Sequence, residues 1–170
     1  MDDVRIQTQR LVLRPVHTDD AASLARLIFG DPQVMAYSDG PVDVAQWIDL
    51  AEQSFREHGF GPLVVMESGS DQVLGYCGLF TRQINGQSEV EIGYRLSRQA
   101  HGNGFATEAV RAVLGYARDH HAQRVVAMID PGNEASVRVA ERTGFVREGQ
   151  VMLEGYDHPD DLYVADLPPR

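Results

Sequence analysis

A run with a two-residue period, SEVEIGYRL, passes through RLSRQAHGNGFAT into an apolar helical pattern that reaches about His120. Gly102 and Gly104 bracket Asn103 at the junction. Glycines there let the backbone turn tightly and present several free N–H groups before the helix begins. Such a turn, backed by the helix dipole, suits a phosphate or pyrophosphate. The same three residues equally suit an ordinary strand-to-helix turn. Two nucleotide-binding patterns fail outright: Thr107 stands where G-x-G-x-x-G needs its third glycine, and GxxxxGK[ST] is absent from the sequence.

The rest of the chain surrounds this unit with strands and shorter helices. Gln9 to Arg14 reads as a first strand stopped by Pro15. Thr18 is the expected N-cap of a helix whose apolar stripe is Ala21, Leu24, Ala25, Leu27 and Ile28. A second helix is expected from Asp43 to about His58. From Pro62 the period becomes that of strands: LVVME, QVLGYCGLF and SEVEIGYRL, joined by short turns into an antiparallel meander. After the glycine turn, Phe105 to His120 carries a broad apolar face formed by Phe105, Ala106, Ala109, Val110, Val113, Leu114 and Ala117. RVVAMID is a further strand, Asn133 caps a short helix ending at Gly144, and FVREGQVML and DLYVADL close the chain as a hairpin. This order predicts an α/β fold with a mixed, largely antiparallel central sheet flanked by helices, as one domain over 1–170.

Composition narrows the function classes. The formal charge is −10, and all 15 basic residues are arginines. That field repels nucleic acid and acidic membranes, and it suits either simple solubility or a cationic partner. No stretch approaches the roughly 18 apolar residues of a membrane span. The opening MDDVRIQTQR has no basic and apolar leader pattern, so a cytoplasmic location is expected. Cys77, the single cysteine, sits in the strand-like VLGYCGLF and reads as an inert core residue. The six histidines form no HExxH pattern, and no metal site is expected.

Gln99, Gly102, Gly104 and Ala106 resemble the Q/R-x-x-G-x-G/A acyl-CoA pyrophosphate motif of the GNAT superfamily of N-acetyltransferases. QAHGNGFATEA is similar to the subgroup that includes the ribosomal-protein N-terminal acetyltransferases. A second signature, N-x-x-S followed by E-x-x-G-F, is matched by Asn133, Ser136, Glu141, Gly144 and Phe145. The resemblance implies a single GNAT domain that moves an acetyl group from acetyl-CoA to a primary amine, a protein N-terminus or a small molecule, as a monomer or homodimer. The alternative is a non-catalytic acyl-CoA-binding or sensing module.

The resemblance also implies roles for particular residues. The turn with Gln99, His101, Gly102, Asn103 and Gly104, followed by Ala106 and Thr107, would hold the pyrophosphate. The pantetheine arm would run along Tyr94, Arg95 and Leu96, in a slot where this strand parts from the one at 124–130. Arg95 or Arg98 either reaches phosphate or is a solvated strand-end arginine. Glu91 is the candidate base, acting directly or through water. Glu89 shares its face, so mutual repulsion could raise one of the two pKa values. Many relatives place a tyrosine where Ala140 stands, which has no proton to give. Ser136 is the candidate hydrogen-bond donor to the leaving thiolate, and it also suits helix initiation as an N3 serine. Asn133 is expected to cap that helix and touch the pantetheine region. Tyr37, Trp47 and Phe60 are expected either at the acceptor pocket or in packing.

Overall fold

The computed structural model describes residues 4–38, 40–153 and 155–168. The strands are β1 (Ile6–Gln7), β2 (Leu11–Pro15), β3 (Pro62–Glu67), β4 (Val73–Ile84), β5 (Gln87–Leu96), β6 (Arg124–Ile129), β7 (Val146–Val151) and β8 (Asp160–Asp166). The helices are α1 (Ala21–Leu24), α2 (Val44–His58), α3 (Phe105–Asp119) and α4 (Glu134–Arg142). The strands form one sheet in the order β1-β2-β3-β4-β5-β6-β8-β7. Every pairing is antiparallel except β5 with β6. The expected mixed, largely antiparallel sheet flanked by helices is what the chain forms.

The β4–β5 hairpin fixes which residues face which way. Asn85 and Gly86 both take positive φ, 51° and 78°, the conformation whose twist suits a two-residue hairpin loop. Ile84 therefore pairs with Gln87, and the register runs on to Gly75 opposite Leu96. Alternation then sends Glu91, Gly93 and Arg95 to one face of the sheet, and Ile92, Tyr94 and Leu96 to the other.

Each face has its own core. Beneath α3, Ala109, Val110, Val113, Leu114 and Ala117 pack with Leu11, Leu13, Leu63, Cys77, Leu79 and Ile92. Burying one such Val or Leu contributes roughly 1.5–3 kcal/mol, which outweighs the ~1 kcal/mol that Gly115 costs the helix. On the opposite face Leu24, Ile28 and Ile48 pack on Val16, Val64 and Tyr76. No helix among the described residues is long and apolar enough to cross a membrane.

The first helical segment departs from the sequence reading. Thr18 lies inside a 3-10 turn, Thr18–Asp20, and does not cap it. The carboxylate of Asp20 takes that role, accepting from the His17 N–H at 2.9 Å and from Arg14 at 2.8 and 2.9 Å. After one turn of α1 the chain widens into a π-turn over Ala25–Phe29, closed by Gly30 N–H to Ala25 O at 2.7 Å. A Cβ at Gly30 would lie 2.5 Å from that carbonyl oxygen, so only glycine fits. The widened end delivers Asp31 to Arg98, at 2.7 Å.

Candidate active site

β5 and β6 run parallel but share one register pair, Glu91 with Val126. Beyond it the two strands part, and a cleft of about 1180 Å³ opens between residues 92–96, 127–130, the glycine turn and α4. Glu91, Tyr94, Arg95, Leu96, His101, Gly102, Gly104, Ala106, Thr107, Asn133 and Ser136 all border it. The side chain of Gln99 is exposed, and neither Gln99 nor Asn103 borders the cleft.

The turn that leads into α3 is laid out for an anion. Gly102 and Gly104 both sit at φ 77°. The amide N–H groups of Gly102 through Thr107 meet no acceptor among the described residues. The neighbouring carbonyls are occupied. His101 Nε2 lies 2.9 Å from Leu96 O, and Asn103 Nδ2 donates to the carbonyls of Gln99, Ala100 and His101 at 3.5, 3.4 and 3.1 Å. Arg10 Nη1 donates to Asn103 O at 2.8 Å. Donors without partners, carbonyls already taken and a helix N-terminus together fit a pyrophosphate. His101 and Asn103 brace this loop. Arg98, which the sequence leaves open as a phosphate ligand, is held by Asp31 and Gln33 at 2.7 and 3.2 Å. Arg95 donates to Tyr76 Oη and Ser38 Oγ, both at 2.6 Å, so its guanidinium points to the α2 face.

Glu91 stands where the strands part and is 7% exposed. Its Oε2 accepts from Arg82 Nε at 2.7 Å. Burial pushes its carboxyl above the usual range, with Asp160 adding to the rise and Arg82 and Arg95 opposing it. Glu89, on the same face, lies against Arg124 at 3.5 Å. The carboxylate that adds to the rise at Glu91 is Asp160, brought in by β8.

Across the cleft, Asn133 Oδ1 accepts from Ser136 N–H at 3.1 Å and caps α4. The Ser136 carbonyl accepts from Tyr94 Oη at 3.2 Å, which ties α4 to β5. Burial raises the pKa of the Tyr94 phenol, keeping it a neutral donor. The Ser136 hydroxyl is half-buried and uncommitted among the described residues. Ala140 is buried one turn later in α4.

At the other mouth, Tyr37 Oη donates to Gly132 O at 3.0 Å. His158 Nε2 lies 2.9 Å from Asp130 Oδ2 and Nδ1 lies 2.5 Å from Asp157 Oδ1. A carboxylate on each nitrogen favours the imidazolium and raises the pKa of the ring. Asp130, His158 and Asp160 could each offer an atom to a metal ion within a 4.8 Å span, and the two imidazole nitrogens lie against Asp130 and Asp157. Trp47 borders the cleft and packs between Phe29 and Tyr76, with ring centroids at 5.1 and 4.9 Å. Phe60 lies outside the cleft, against the core under α3 and stacked on His58 at 5.7 Å. Cys77 is fully buried, and burial raises its pKa.

The acetyltransferase (GNAT) domain family matches residues 10–146. The chain belongs to that family. The uncharacterized protein YkkB of Bacillus subtilis (strain 168) is 38% identical over 144 residues, covering 82% of this chain and 84% of YkkB. The crystal structure of the acetyltransferase from Agrobacterium tumefaciens str. C58 superposes with a TM-score of 0.84 at 23% identity, over 97% of this GNAT chain and 95% of that one. The spermidine N-acetyltransferase from Vibrio cholerae, in complex with CoA and spermine, has a TM-score of 0.75 at 17% identity, covering 94% of this chain and 97% of that one. Those two likenesses concern the fold.

Arg10, Arg82 and Asp160 are site neighbours that the sequence reading does not single out. Arg82 has a signal: the NG turn sets a register that puts it opposite Glu89, one pleat from Glu91. Arg10 and Asp160 have none, because non-local packing brings them in.

Proposed function

We propose that this GNAT chain is an acetyl-CoA-dependent N-acetyltransferase acting on a primary amine. The observation that supports it best is a single cleft with an unpartnered row of amide donors at one end and a buried carboxylate with an uncommitted hydroxyl at the other. Bound acetyl-CoA supplies the acetyl group as a thioester. The backbone N–H groups from Gly102 to Thr107 hold its pyrophosphate, and the main chain of Tyr94, Arg95 and Leu96 receives its amide-bearing arm. Glu91 takes a proton from the incoming ammonium, directly or through water, so that the amine attacks as a neutral nucleophile. The new C–N bond replaces the C–S bond, and the nitrogen's surplus proton passes to the departing sulfur so that CoA leaves as the thiol. Ser136 donates a hydrogen bond to that sulfur as charge develops on it. A serine in the first turn of α4 can play that part because its N–H and carbonyl are satisfied by Asn133 and Tyr94, leaving the hydroxyl to turn.

QAHGNGFATEA carries the finer proposal, membership of the subgroup that acetylates ribosomal-protein N-termini. A protein N-terminus or a small amine fits the acidic mouth equally. Ala140 favours one competing reading, a module that binds acyl-CoA without turnover. Calorimetry with CoA, followed by thiol release from acetyl-CoA across a panel of peptides and amines, separates the two. CoA binding with acceptor-dependent thiol release is expected. Binding without such release assigns the module, and no binding at millimolar CoA removes both readings.

A further inference from the structure

We infer that Arg10, together with Glu108, is a positioning residue that aims the amide donors of the glycine turn into the cleft. The inference rests on the transferase reading and adds residues from a distant part of the chain to it. Glu108 lies in the first turn of α3, on the helix that begins at this turn. Its Oε1 accepts from Thr8 Oγ1 at 2.6 Å and from the Arg10 N–H at 2.9 Å, and its Oε2 accepts from Arg10 Nε at 2.7 Å. The same guanidinium reaches past the carboxylate to Asn103 O at 2.8 Å and lies 4.7 Å from the centre of the Phe105 ring. One arginine thus clamps the turn and the helix start to the entry of β2.

The geometry of a peptide unit gives that clamp a direction. In a trans peptide the C=O and the following N–H point opposite ways. Holding Asn103 C=O against Arg10 therefore aims the Gly104 N–H the other way, and Gly104 borders the cleft. The Asn103 amide does the same two peptides earlier, holding His101 C=O at 3.1 Å and so directing Gly102 N–H. Glycine at both positions makes these peptides easy to rotate, so the bracing carries the orientation. A second effect is electrostatic. A carboxylate in the first helical turn would oppose an arriving phosphate, and Arg10 neutralises it in place.

The test uses the full chain and three proteins: wild type, Arg10→Ala and Arg10→Lys. Calorimetry reads CoA affinity, and steady-state kinetics with a responsive amine separates KM for acetyl-CoA from kcat. Arg10→Ala is expected to weaken CoA about tenfold or more, the size of a lost charged hydrogen bond, with the loss falling on KM more than on kcat. Arg10→Lys keeps the charge and the stem over Phe105 but has no fork to join Glu108 and Asn103, so it is expected to stay at least about fivefold weaker. If Arg10→Ala melts too early for calorimetry, Arg10→Lys carries the test. Full affinity in Arg10→Lys overturns the positioning role in favour of plain charge, as does equal loss of kcat in favour of a general structural one. A wild type that binds CoA beside an Arg10→Ala that binds equally well overturns this inference alone. A wild type that binds no CoA overturns the transferase reading and this inference with it.

Discussion

Glu91 is held by two opposed influences. Burial favours its protonated form, while Arg82 and, less strongly, Arg95 draw it toward ionisation; the net carboxyl pKa lies above its ordinary range. In the proposed role of base, Glu91 would shift the acid limb upward, and Glu91→Gln should remove that limb from the kcat/KM profile and lower the rate about 100-fold or more. An unaltered profile in the variant would return Glu91 to a structural role. The sign for folding follows from the same shift. The folded state holds this proton more tightly than the unfolded chain, so Glu91's contribution to stability declines as pH rises from the ordinary carboxyl value through the raised one. His158 also has a raised pKa, but what it loses with rising pH is a set of ion pairs. Hydrogen bonds to Asp157 and then Asp130 raise its pKa. Its stabilising pairs are complete below the ordinary imidazole value and are lost as pH rises through the raised one. The Tm gap between wild type and His158→Gln should therefore be widest under mildly acidic conditions and close in alkali. A gap independent of pH would remove the ion pairs as its cause.

At the scale of elements, the glycine turn carries a prediction that separates conformation from crowding. A Cβ at Gly102 would meet nothing within 4 Å, yet φ is 77° there. Gly102→Ala is thus expected to cost about 1 kcal/mol through backbone strain alone. Because that strain relaxes by rotating the peptide whose N–H faces the cleft, CoA affinity should drop about tenfold while Tm moves by only about 2–4 °C. Full affinity in the Gly102→Ala variant would mean the turn tolerates another conformation. Most elements are legible in the sequence because their signals are local. Asp43 caps α2 through the Gln46 N–H at 3.1 Å, Gly59 ends that helix at φ 75°, and the NG turn sets the register of β4 and β5. The first helical segment is not, because its cap comes from Asp20, three residues downstream of His17, and because a π-turn leaves no periodic mark in so short a stretch. The site is half legible. Glu91, Ser136 and the glycines lie in local motifs and Arg82 follows from the NG turn, while Arg10 and Asp160 act through partners about 70 to 100 residues away.

The molecule as a whole carries a charge of −10, which CoA must approach against. The turn's amide donors and the α3 dipole attract the phosphates only at short range, so weak salt should aid CoA binding by screening the outer field. A cationic acceptor should respond oppositely, with KM rising as salt increases. Bound CoA should stabilise the fold by mass action, about 2.7 kcal/mol at a hundredfold excess over Kd. For a chain of 170 residues that corresponds to roughly 5–10 °C in Tm. Absence of any shift at such an excess, measured by calorimetric melting, would mean that CoA does not bind the folded chain in preference to the unfolded one.

The single register pair between β5 and β6 has a consequence for which strangers the sheet will accept. Its outer borders are guarded: β1 is two residues long, and β7 presents Arg147 and Glu148. Such borders discourage recruitment of a neighbouring molecule's strand. The inner border past Glu91 has no such guard, yet it faces the cleft and not a free edge of the sheet. On the proposed function, backbone pairing there suits a slender guest bearing amides, and hydrogen exchange at residues 93–95 should slow when that guest arrives.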